Sequence, residues 1–266
     1  MTILHTLASG SSGNALLLSC GTCHILLDAG ISCRRITAAL KTLGLEAESL
    51  SAILITHTHS DHIAGLQTLL KRCSAPVFAT ERAARDLAWR LPAAEGRLEN
   101  LETGASLALG AFTVTAFPTS HDSPGSCGYR LDSADGSAGI LTDTGYVTDE
   151  AADILEGVEL AVLEANHDPE TLRSGPYPYA LKQRILGHQG HLSNGDAARF
   201  AAALAESGTS EIILAHLSRE NNTPAMARNA VESALSAAGA APRLSVAPRD
   251  CLSEAHVLSR RSVCRR

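Results

Sequence analysis

The sequence predicts an α/β fold in which helices cover the outer sides of two facing mixed β-sheets, an αββα sandwich. Short apolar segments alternate with segments that repeat apolar residues at helical spacing. The alternation occurs in two halves, each starting with strands and ending in helices. Periodicity alone does not separate this sandwich from a doubly wound sheet, so both architectures stay open at this point.

The first third of the chain begins with three predicted strands and a helix. Strand patterns cover residues 2–7, 14–20 and 23–30, and the Gly/Ser turn "ASGSSGN" joins the first two. Residues 32–43 follow the capping residue pattern of a helix, with Ser32 at its start. The chain therefore opens with three strands followed by a helix.

The next elements alternate strand and helix. Residues 51–56, "SAILIT", predict a buried strand, and residues 62–72 predict one continuous helix. Residues 75–80 predict another strand and residues 81–89 another helix. This alternation is typical of an α/β fold.

The remaining chain has a β-rich centre and a second α/β half. Strand patterns cover residues 106–118 (with a turn at Leu109–Gly110), 126–132, 138–145, 158–166 and 210–216, and helix patterns cover 194–207 and 223–239. Residues 169–190 are the least regular and predict a flap.

Composition predicts one globular domain. The chain has 266 residues, 45% of them hydrophobic and 19% charged. We expect residues 1–258 to form a single domain and the basic residues 259–266 to be a frayed tail. The net charge of −6 argues against a protein that holds nucleic acid by broad electrostatics alone.

The cysteines and the hydropathy pattern predict a cytoplasmic protein without a membrane span. Cys20 and Cys23 have CxxC spacing, but no second pair lies nearby to complete a zinc site, so strand-end cysteines are the preferred interpretation. We find no secretory signal and no run of about 20 apolar residues. The oligomeric state is open, with a homodimer as one option.

The stretch "ITHTHSDHIAG" predicts a metal site. His57 and His59 alternate, so that both imidazoles lie on one side of an extended segment, while Asp61 and His62 follow as the loop turns into a helix. Imidazole nitrogens and carboxylate oxygens are typical ligands of divalent transition metals. One strand end can thus offer ligands to two adjacent ions, which lie about 3.5–4 Å apart in catalytic sites.

Three further candidate ligands occur in a repeated context. His121, Asp143 and His216 each follow the end of an apolar, strand-like run. The carboxyl ends of strands in open α/β sheets commonly carry functional groups. A lone histidine would be an ordinary residue, but this recurrence favours a shared site.

These residues make the chain resemble the metallo-β-lactamase-fold hydrolases over nearly its full length. The carrying features are Asp28 in "LLDAG", the "HTHSDH" signature, His121, "TDTG" and His216. The motifs "LASGSSGN", "SHDSPGSCGY", "LEANHD", "GHLSN" and "HLSRENN" resemble the YycJ/WalJ subgroup, whose relatives include ribonuclease Z and ribonuclease J.

The resemblance implies two divalent metal ions per chain. One would be held by His57, His59 and His121, and the other by Asp61, His62 and His216, with Asp143 bridging them. Asp28 would orient a ligand histidine from behind, although it could instead form a turn before Gly30. Zn²⁺ and Mn²⁺ are the expected ions and Fe²⁺ is also compatible, because His/Asp sites accept all three.

The expected chemistry is hydrolysis by a hydroxide that bridges the two metals. Asp61 is placed to orient that hydroxide or accept its proton. His191 and His167 are the candidates for general acid or substrate contact, and Glu164 could support either one. Ribonuclease Z-like enzymes carry a non-ligand histidine between the bridging aspartate and the last ligand histidine. His191 is favoured because it lies in that interval.

The leading functional prediction is a phosphodiesterase acting on nucleic acid as a 5′-to-3′ exonuclease. The alternative is a thioesterase of the hydroxyacylglutathione hydrolase type, or another small-molecule ester or phosphodiester hydrolase. The non-ligand histidines His167 and His191 favour phosphoryl chemistry. A non-hydrolytic binding or redox member of the fold is the third option, which the intact ligand set disfavours.

Overall fold

A computed structural model describes residues 1–258 as two seven-stranded sheets. The predicted frayed tail, residues 259–266, lies outside the described residues. The first sheet contains β1 (Thr2–Ala8), β2 (Ala15–Cys20), β3 (Cys23–Leu27), β4 (Ala52–Leu54), β5 (Val77–Ala79), β6 (Leu98–Asn100) and β14 (His256–Leu258). The second contains β7 (Ser106–Leu109), β8 (Phe112–Pro118), β9 (Cys127–Ser133), β10 (Gly136–Leu141), β11 (Leu160–Glu164), β12 (Glu211–Ala215) and β13 (Arg243–Val246).

Both sheets are mixed, with a similar division between the two pairing modes. The first has the order β14-β1-β2-β3-β4-β5-β6, antiparallel up to β3 and parallel from β3 to β6. The second has the order β13-β12-β11-β10-β9-β8-β7, parallel from β13 to β10 and antiparallel beyond. Each sheet therefore has a parallel half whose strand ends can carry functional groups.

The helices lie in the connections between strands. They are α1 (Cys33–Thr42), α2 (Ser60–Ile63), α3 (Leu66–Leu69), α4 (Glu81–Arg90), α5 (Asp149–Leu155), α6 (Pro169–Ser174), α7 (Tyr179–Leu186), α8 (Asn194–Glu206) and α9 (Pro224–Ala237). Several begin at a side-chain cap, as predicted for Ser32, which accepts from the Arg35 amide.

Three layers of buried apolar side chains make this a four-layer sandwich. The central layer includes Leu4 and Leu18 of the first sheet and Tyr129 and Val162 of the second. Another layer lies between the first sheet and α1, α3 and α4, and the third lies between the second sheet and α5, α8 and α9. The αββα prediction is confirmed, and the doubly wound alternative is wrong, because two separate sheets share one core.

The predicted continuous helix over residues 62–72 is wrong. The segment forms the two short helices α2 and α3 instead. The Asp61 carbonyl, which would accept from Gly65 in a regular helix, accepts from the Asn14 amide at 2.8 Å. The Gly65 amide donates instead to the Ala29 carbonyl, also at 2.8 Å. The chain exchanges helical hydrogen bonds for bonds that tie this segment to the end of β3.

The irregular segment and the ends of the chain contain elements that periodicity did not predict. Residues 169–190 include the helices α6 and α7, which are too short to show a clear apolar stripe. The strands β6, β13 and β14 and the helix α5 were also missed. Among the described residues, none of the helices is both long and apolar enough to cross a bilayer.

Candidate metal centre

The candidate ligands lie where strands of the two sheets end. The segment after β4 carries His57, His59, Asp61 and His62, and the turn after β8 carries His121. Asp28, Asp143 and His216 follow β3, β10 and β12 within two residues. The predicted ligands, separated by up to 159 positions between His57 and His216, thus come together at one edge of the sandwich.

Backbone strain is concentrated at this edge. Within residues 1–258, the non-glycine residues with positive φ are Asp28 at 58°, Asp143 at 57° and His216 at 55°. Side chains other than glycine rarely adopt this conformation, and where they do, the residues are often functional. Each turn aims a polar side chain into the site immediately after a buried strand.

His57, His59 and His121 form one group of potential ligands. Their nearest ring nitrogens lie within 4.8 Å of one another. His121 Nδ1 donates to the Gly190 carbonyl at 3.0 Å, so that Nε2 faces His59 Nδ1 at 3.1 Å. A bond on one ring nitrogen leaves the other available, which is the usual arrangement of a metal-binding histidine.

Asp61, His62 and His216 form a second group within the same distance. Asp143 lies between the two groups: its Oδ2 is 3.3 Å from His62 Nε2, and its Oδ1 is 3.8 Å from His121 Nε2. One carboxylate therefore reaches both groups. The cluster as a whole can bind metal.

Several buried atoms that point into the centre make no hydrogen bond, although His216 Nε2 lies 3.5 Å from Asp61 and Asp143 Oδ2 lies 3.3 Å from His62 Nε2. His57 Nε2, His216 Nε2 and Asp143 Oδ2 are buried atoms without a hydrogen bond. Buried polar atoms are almost always partnered, and leaving three together without one is unfavourable. The donor set of imidazoles and carboxylates suits divalent transition metals, so the residues fit a metal centre.

Asp28 holds one of the histidines from behind. Its Oδ2 accepts from His62 Nδ1 at 2.7 Å, and its two oxygens also accept from the amide and hydroxyl of Thr56 at 2.9 Å. The Thr56 hydroxyl in turn lies 3.1 Å from His57 Nδ1. A single carboxylate thereby orients histidines of both groups.

Glu164, at the end of β11, holds two further imidazoles. Its Oε1 accepts from His216 Nδ1 at 2.9 Å and from His191 Nδ1 at 2.8 Å. The other oxygen accepts from the amides of Thr144 and Leu192. The carboxylate is fully buried and every contact it makes is a donor, so it is held as an anion.

Asp86 and Arg90 of α4 hold the middle of the histidine segment, residues 57–62, and are called the brace below. The Thr58 hydroxyl donates to Asp86 of α4, and the Thr58 carbonyl accepts from Arg90 Nη1 at 2.6 Å. Asp86 and Arg90 also pair with each other at 3.1 Å. Since Thr58 lies between His57 and His59, α4 fixes the backbone that presents both.

The charges at the centre shift the pKa values strongly. Burial alone would lower the pKa of His62, but Asp143 and Asp28 raise it to about 10. Burial would likewise raise the pKa of Asp143, yet His216 and His62 hold it well below the usual range of a carboxyl. His57 has no carboxylate as close, and burial together with His62 lowers its pKa. A histidine whose pKa is raised, His62, therefore lies beside one whose pKa is lowered, His57. Strongly shifted pKa values of this kind are typical of functional centres.

A cavity of about 360 Å³ opens over these residues. His59, Asp61, His121, Asp143, His191 and His216 line it, together with Tyr177, Leu181, Arg184 and Ile185 from the segment predicted as a flap. Ser11 of the turn "ASGSSGN" also reaches the wall. His191 therefore faces the cavity while its Nδ1 is held by Glu164.

His167 is placed differently. Its ring is buried, its Nδ1 has no hydrogen-bond partner, and it is absent from the cavity wall. Burial lowers its pKa to about 4, which keeps the imidazole neutral. Its backbone carbonyl accepts from the Asn194 amide, joining β11 to the start of α8.

Sequence reasoning did not find several residues of this centre. Asn14, which lies 3.0 Å from His62 Nε2, and the pair Asp86 and Arg90 carry no local signal that relates them to a metal site. Asp122 lies 3.5 Å from His59 Nε2 and follows a candidate ligand directly, a position that could have marked it. Glu164 was considered only as a support for His191 or His167, and its bond to His216 was not foreseen.

Comparison with known proteins identifies the family. The model of the β-lactamase superfamily domain matches residues 24–217. Exodeoxyribonuclease WalJ of Streptococcus pneumoniae is 41% identical over 224 residues, 83% of each chain. The chain belongs to the WalJ/YycJ family of the metallo-β-lactamase superfamily. The resemblance predicted from the motifs is confirmed.

Two further relatives agree with this assignment. Exodeoxyribonuclease YycJ of Bacillus anthracis is 37% identical over 236 residues, 88% of this chain and 89% of YycJ. The crystal structure of the metallo-β-lactamase-fold protein YhfI of Bacillus subtilis superposes with a TM-score of 0.72 over 95% of this chain and 98% of YhfI. YhfI is only 17% identical, so this similarity concerns the fold alone. The WalJ/YycJ member described here is a metal-dependent hydrolase with a His/Asp cluster able to bind metal.

Proposed function

We propose that the protein is a phosphodiesterase that digests nucleic acid as a 5′-to-3′ exonuclease. The observation that carries the proposal is the cluster of buried ligand atoms of His57, His216 and Asp143 that make no hydrogen bond, beside an open cavity that Asp143 and His216 line. The chain that carries this cluster is itself 41% identical to the exodeoxyribonuclease WalJ. Deoxyribonucleic acid is accordingly the proposed substrate.

The proposal includes two divalent ions, Zn²⁺ or Mn²⁺, with Fe²⁺ as a further option. His57, His59 and His121 would hold one, Asp61, His62 and His216 the other, and Asp143 both. When bound, such a pair supplies a water of near-neutral pKa and offsets the negative charge that grows on the phosphoryl oxygens. The acidic balance of the chain is thereby reversed locally where the substrate is cleaved.

The protein's own groups would orient the nucleophile and protonate the leaving group. Asp61 lines the cavity, and the neighbouring imidazoles of His216, 3.5 Å away, and His62 lower its pKa against the opposing effect of burial. It remains ionised at neutral pH and can accept a proton or orient a water by hydrogen bonding.

His191 is the proposed general acid. It lines the cavity, and Glu164 accepts from its Nδ1, so that Nε2 is the nitrogen available to the substrate. The Glu164 carboxylate behind the ring fixes its orientation toward the cavity. His167 was the other candidate; its buried ring supports a role in holding β11 against α8 rather than contact with the substrate.

The test is a comparison of substrates on metal-loaded protein. We expect stepwise release of nucleotides from a 5′-phosphorylated single-stranded DNA carrying a 3′ fluorophore, and no release when phosphorothioate linkages block the 5′ end. A 3′ block should leave the initial rate unchanged. An RNA of the same sequence and a glutathione thioester would be offered in parallel. Rapid thioester cleavage with inert nucleic acid would establish the thioesterase alternative, and shortening from the 3′ end would reverse the proposed direction.

A further inference from the structure

Beside the candidate metal centre lies a second open groove with two aromatic rings. Tyr146 and His188 contact each other at right angles, with ring centroids 5.6 Å apart and an angle of 85° between the planes. Both side chains are exposed, and they line a groove of about 990 Å³ together with Gln183 and Arg184.

The backbone holds this pair of rings in place. A side chain on Gly145 would meet the His188 carbonyl at 2.2 Å, so the two segments touch directly. The Ser120 hydroxyl donates to that same His188 carbonyl at 2.7 Å, and the Gly145 amide donates to the Ser120 carbonyl at 2.8 Å. The two rings are therefore presented from a fixed junction of three chain segments.

The groove adjoins the cavity over the metal centre. Arg184 and Gln189 line both spaces, and Arg184 pairs with Asp122 between them. Tyr146 follows Asp143 by three residues, so their Cα atoms lie at most about 11 Å apart. A strand cleaved at the metal centre would have a neighbouring nucleotide within reach of the rings.

We propose that Tyr146 and His188 form a subsite that stacks an unpaired base of the substrate strand next to the scissile phosphodiester. The inference rests on the proposed nuclease function and adds the substrate class, a strand whose bases are unpaired at the cleaved end. Aromatic side chains bind single strands in this way because every base has a π-face, and the contact tolerates any sequence.

The charge of the protein favours such a contact over broad electrostatic binding. With a net charge of −6, the chain cannot draw on the broad attraction to phosphates that basic nucleases use. The far side of Tyr146 borders another depression, lined by Phe200 and Arg199 of α8. Tyr146 thus lies between two open spaces. A ring in this position is accessible to a planar group such as a base.

The experiment is an abasic scan on metal-loaded protein. Single-stranded DNA substrates would carry one abasic nucleotide at each successive position from the cleaved end, and kcat/KM would be measured for each. For the wild type, we expect a loss of about ten-fold at one position, since stacking of one base has this magnitude. Tyr146→Leu should lower kcat/KM on the unmodified strand by a similar factor and show no additional loss at that position. Tyr146→Phe, which keeps the ring, should behave as the wild type.

A matched control is Tyr179→Leu, at the exposed start of α7 and outside both cavities. It should keep the wild-type rate and the wild-type abasic profile. The inference is overturned if wild-type protein digests DNA while Tyr146→Leu retains the position-specific abasic loss, or if no position shows one. If the wild type leaves all DNA substrates intact, both the proposed nuclease function and this subsite are wrong. Failure of the subsite alone is recognised because the wild type still digests DNA.

Discussion

Glu164 Oε1 accepts a hydrogen bond from His216 Nδ1 at 2.9 Å, although 52 positions separate the two residues. The same oxygen accepts from His191 Nδ1 at 2.8 Å. One buried carboxylate therefore sets the tautomer of a proposed ligand and of the proposed general acid. The pKa of Glu164 is lowered to about 2, because His191 and the hydrogen bonds from both imidazoles outweigh the effect of burial.

Glu164→Gln should weaken metal binding and catalysis together. The amide keeps the shape of the side chain but removes the negative charge, and mutation of such a supporting group typically costs 10–100-fold in metal affinity or activity. Metal affinity would be measured by competition with a chelator. Glu211→Gln is the matched control, since Glu211 holds His256 Nδ1 at 2.7 Å away from the centre. A similar loss in both variants would contradict a role specific to the metal site.

Metal content tests the ligand assignment. We expect about two ions per wild-type chain and a clear loss on His57→Ala or His216→Ala, because each removes a ligand from a different group. Metal would be measured by elemental analysis after dialysis. His24→Gln serves as control, since the His24 imidazole lies outside the centre and bonds to the Ser19 hydroxyl. Full metal content in both ligand variants would show the assignment to be wrong.

Thr58→Val should loosen the histidine segment. Valine has nearly the same volume but cannot donate to Asp86, so we expect the free energy of unfolding to fall by about 1 kcal/mol. Metal affinity should fall as well, because Thr58 lies between two proposed ligands. Thermal unfolding and chelator competition would be compared with Thr42→Val, whose hydroxyl bonds only the Ala38 carbonyl on the exposed side of α1. Unchanged metal affinity would show that the brace contributes to the stability of the fold but not to metal binding.

His191→Ala should affect substrates according to their leaving group. A general acid contributes about 10²–10⁴-fold when the leaving group needs a proton. We therefore expect a loss of this size on DNA, whose leaving group is an alkoxide. The loss should be much smaller on a p-nitrophenyl phosphodiester, because p-nitrophenolate leaves without protonation. Equal losses on the two substrates would point to a role in binding or metal coordination instead.

The metal-free protein should lose stability at alkaline pH. Its folded-state pKa for His62, about 10, lies above the ordinary value of 6.5. This group thus contributes stability that is fully present below pH 6.5 and is lost as the pH rises through about 10. The expected slope between pH 7 and 10 is on the order of 1 kcal/mol per pH unit, measured by urea unfolding.

Two comparisons check that His62 causes this slope. The metal-loaded protein should lack it, since a coordinated imidazole is already neutral. Asp28→Asn should reduce it by removing one of the carboxylates that raise the pKa. An equal slope in all three samples would assign the pH dependence to other groups.

Local patterns were sufficient to mark the candidate ligands and most strands. "HTHSDH" carries its ligands within six positions, and His121, Asp143 and His216 each follow an apolar run that forms a buried strand. These features were predictable because they depend on neighbouring residues and on the periodicity of apolar residues, both of which can be read directly from the sequence. The break between α2 and α3 was not, because it depends on hydrogen bonds that Asn14 and Ala29 make from another part of the chain.

The sequence by itself determined the αββα fold, the family and the residues that could bind metal. Only the tertiary structure decided which groups support them: Glu164 behind His216, the Asp86 and Arg90 brace on Thr58, and the junction that places His188 against Tyr146. Ligand identity follows from the chemistry of single side chains. Supporting contacts follow from how distant segments pack, and 28 positions between Thr58 and Asp86, or 42 between Tyr146 and His188, leave no local pattern to reveal them.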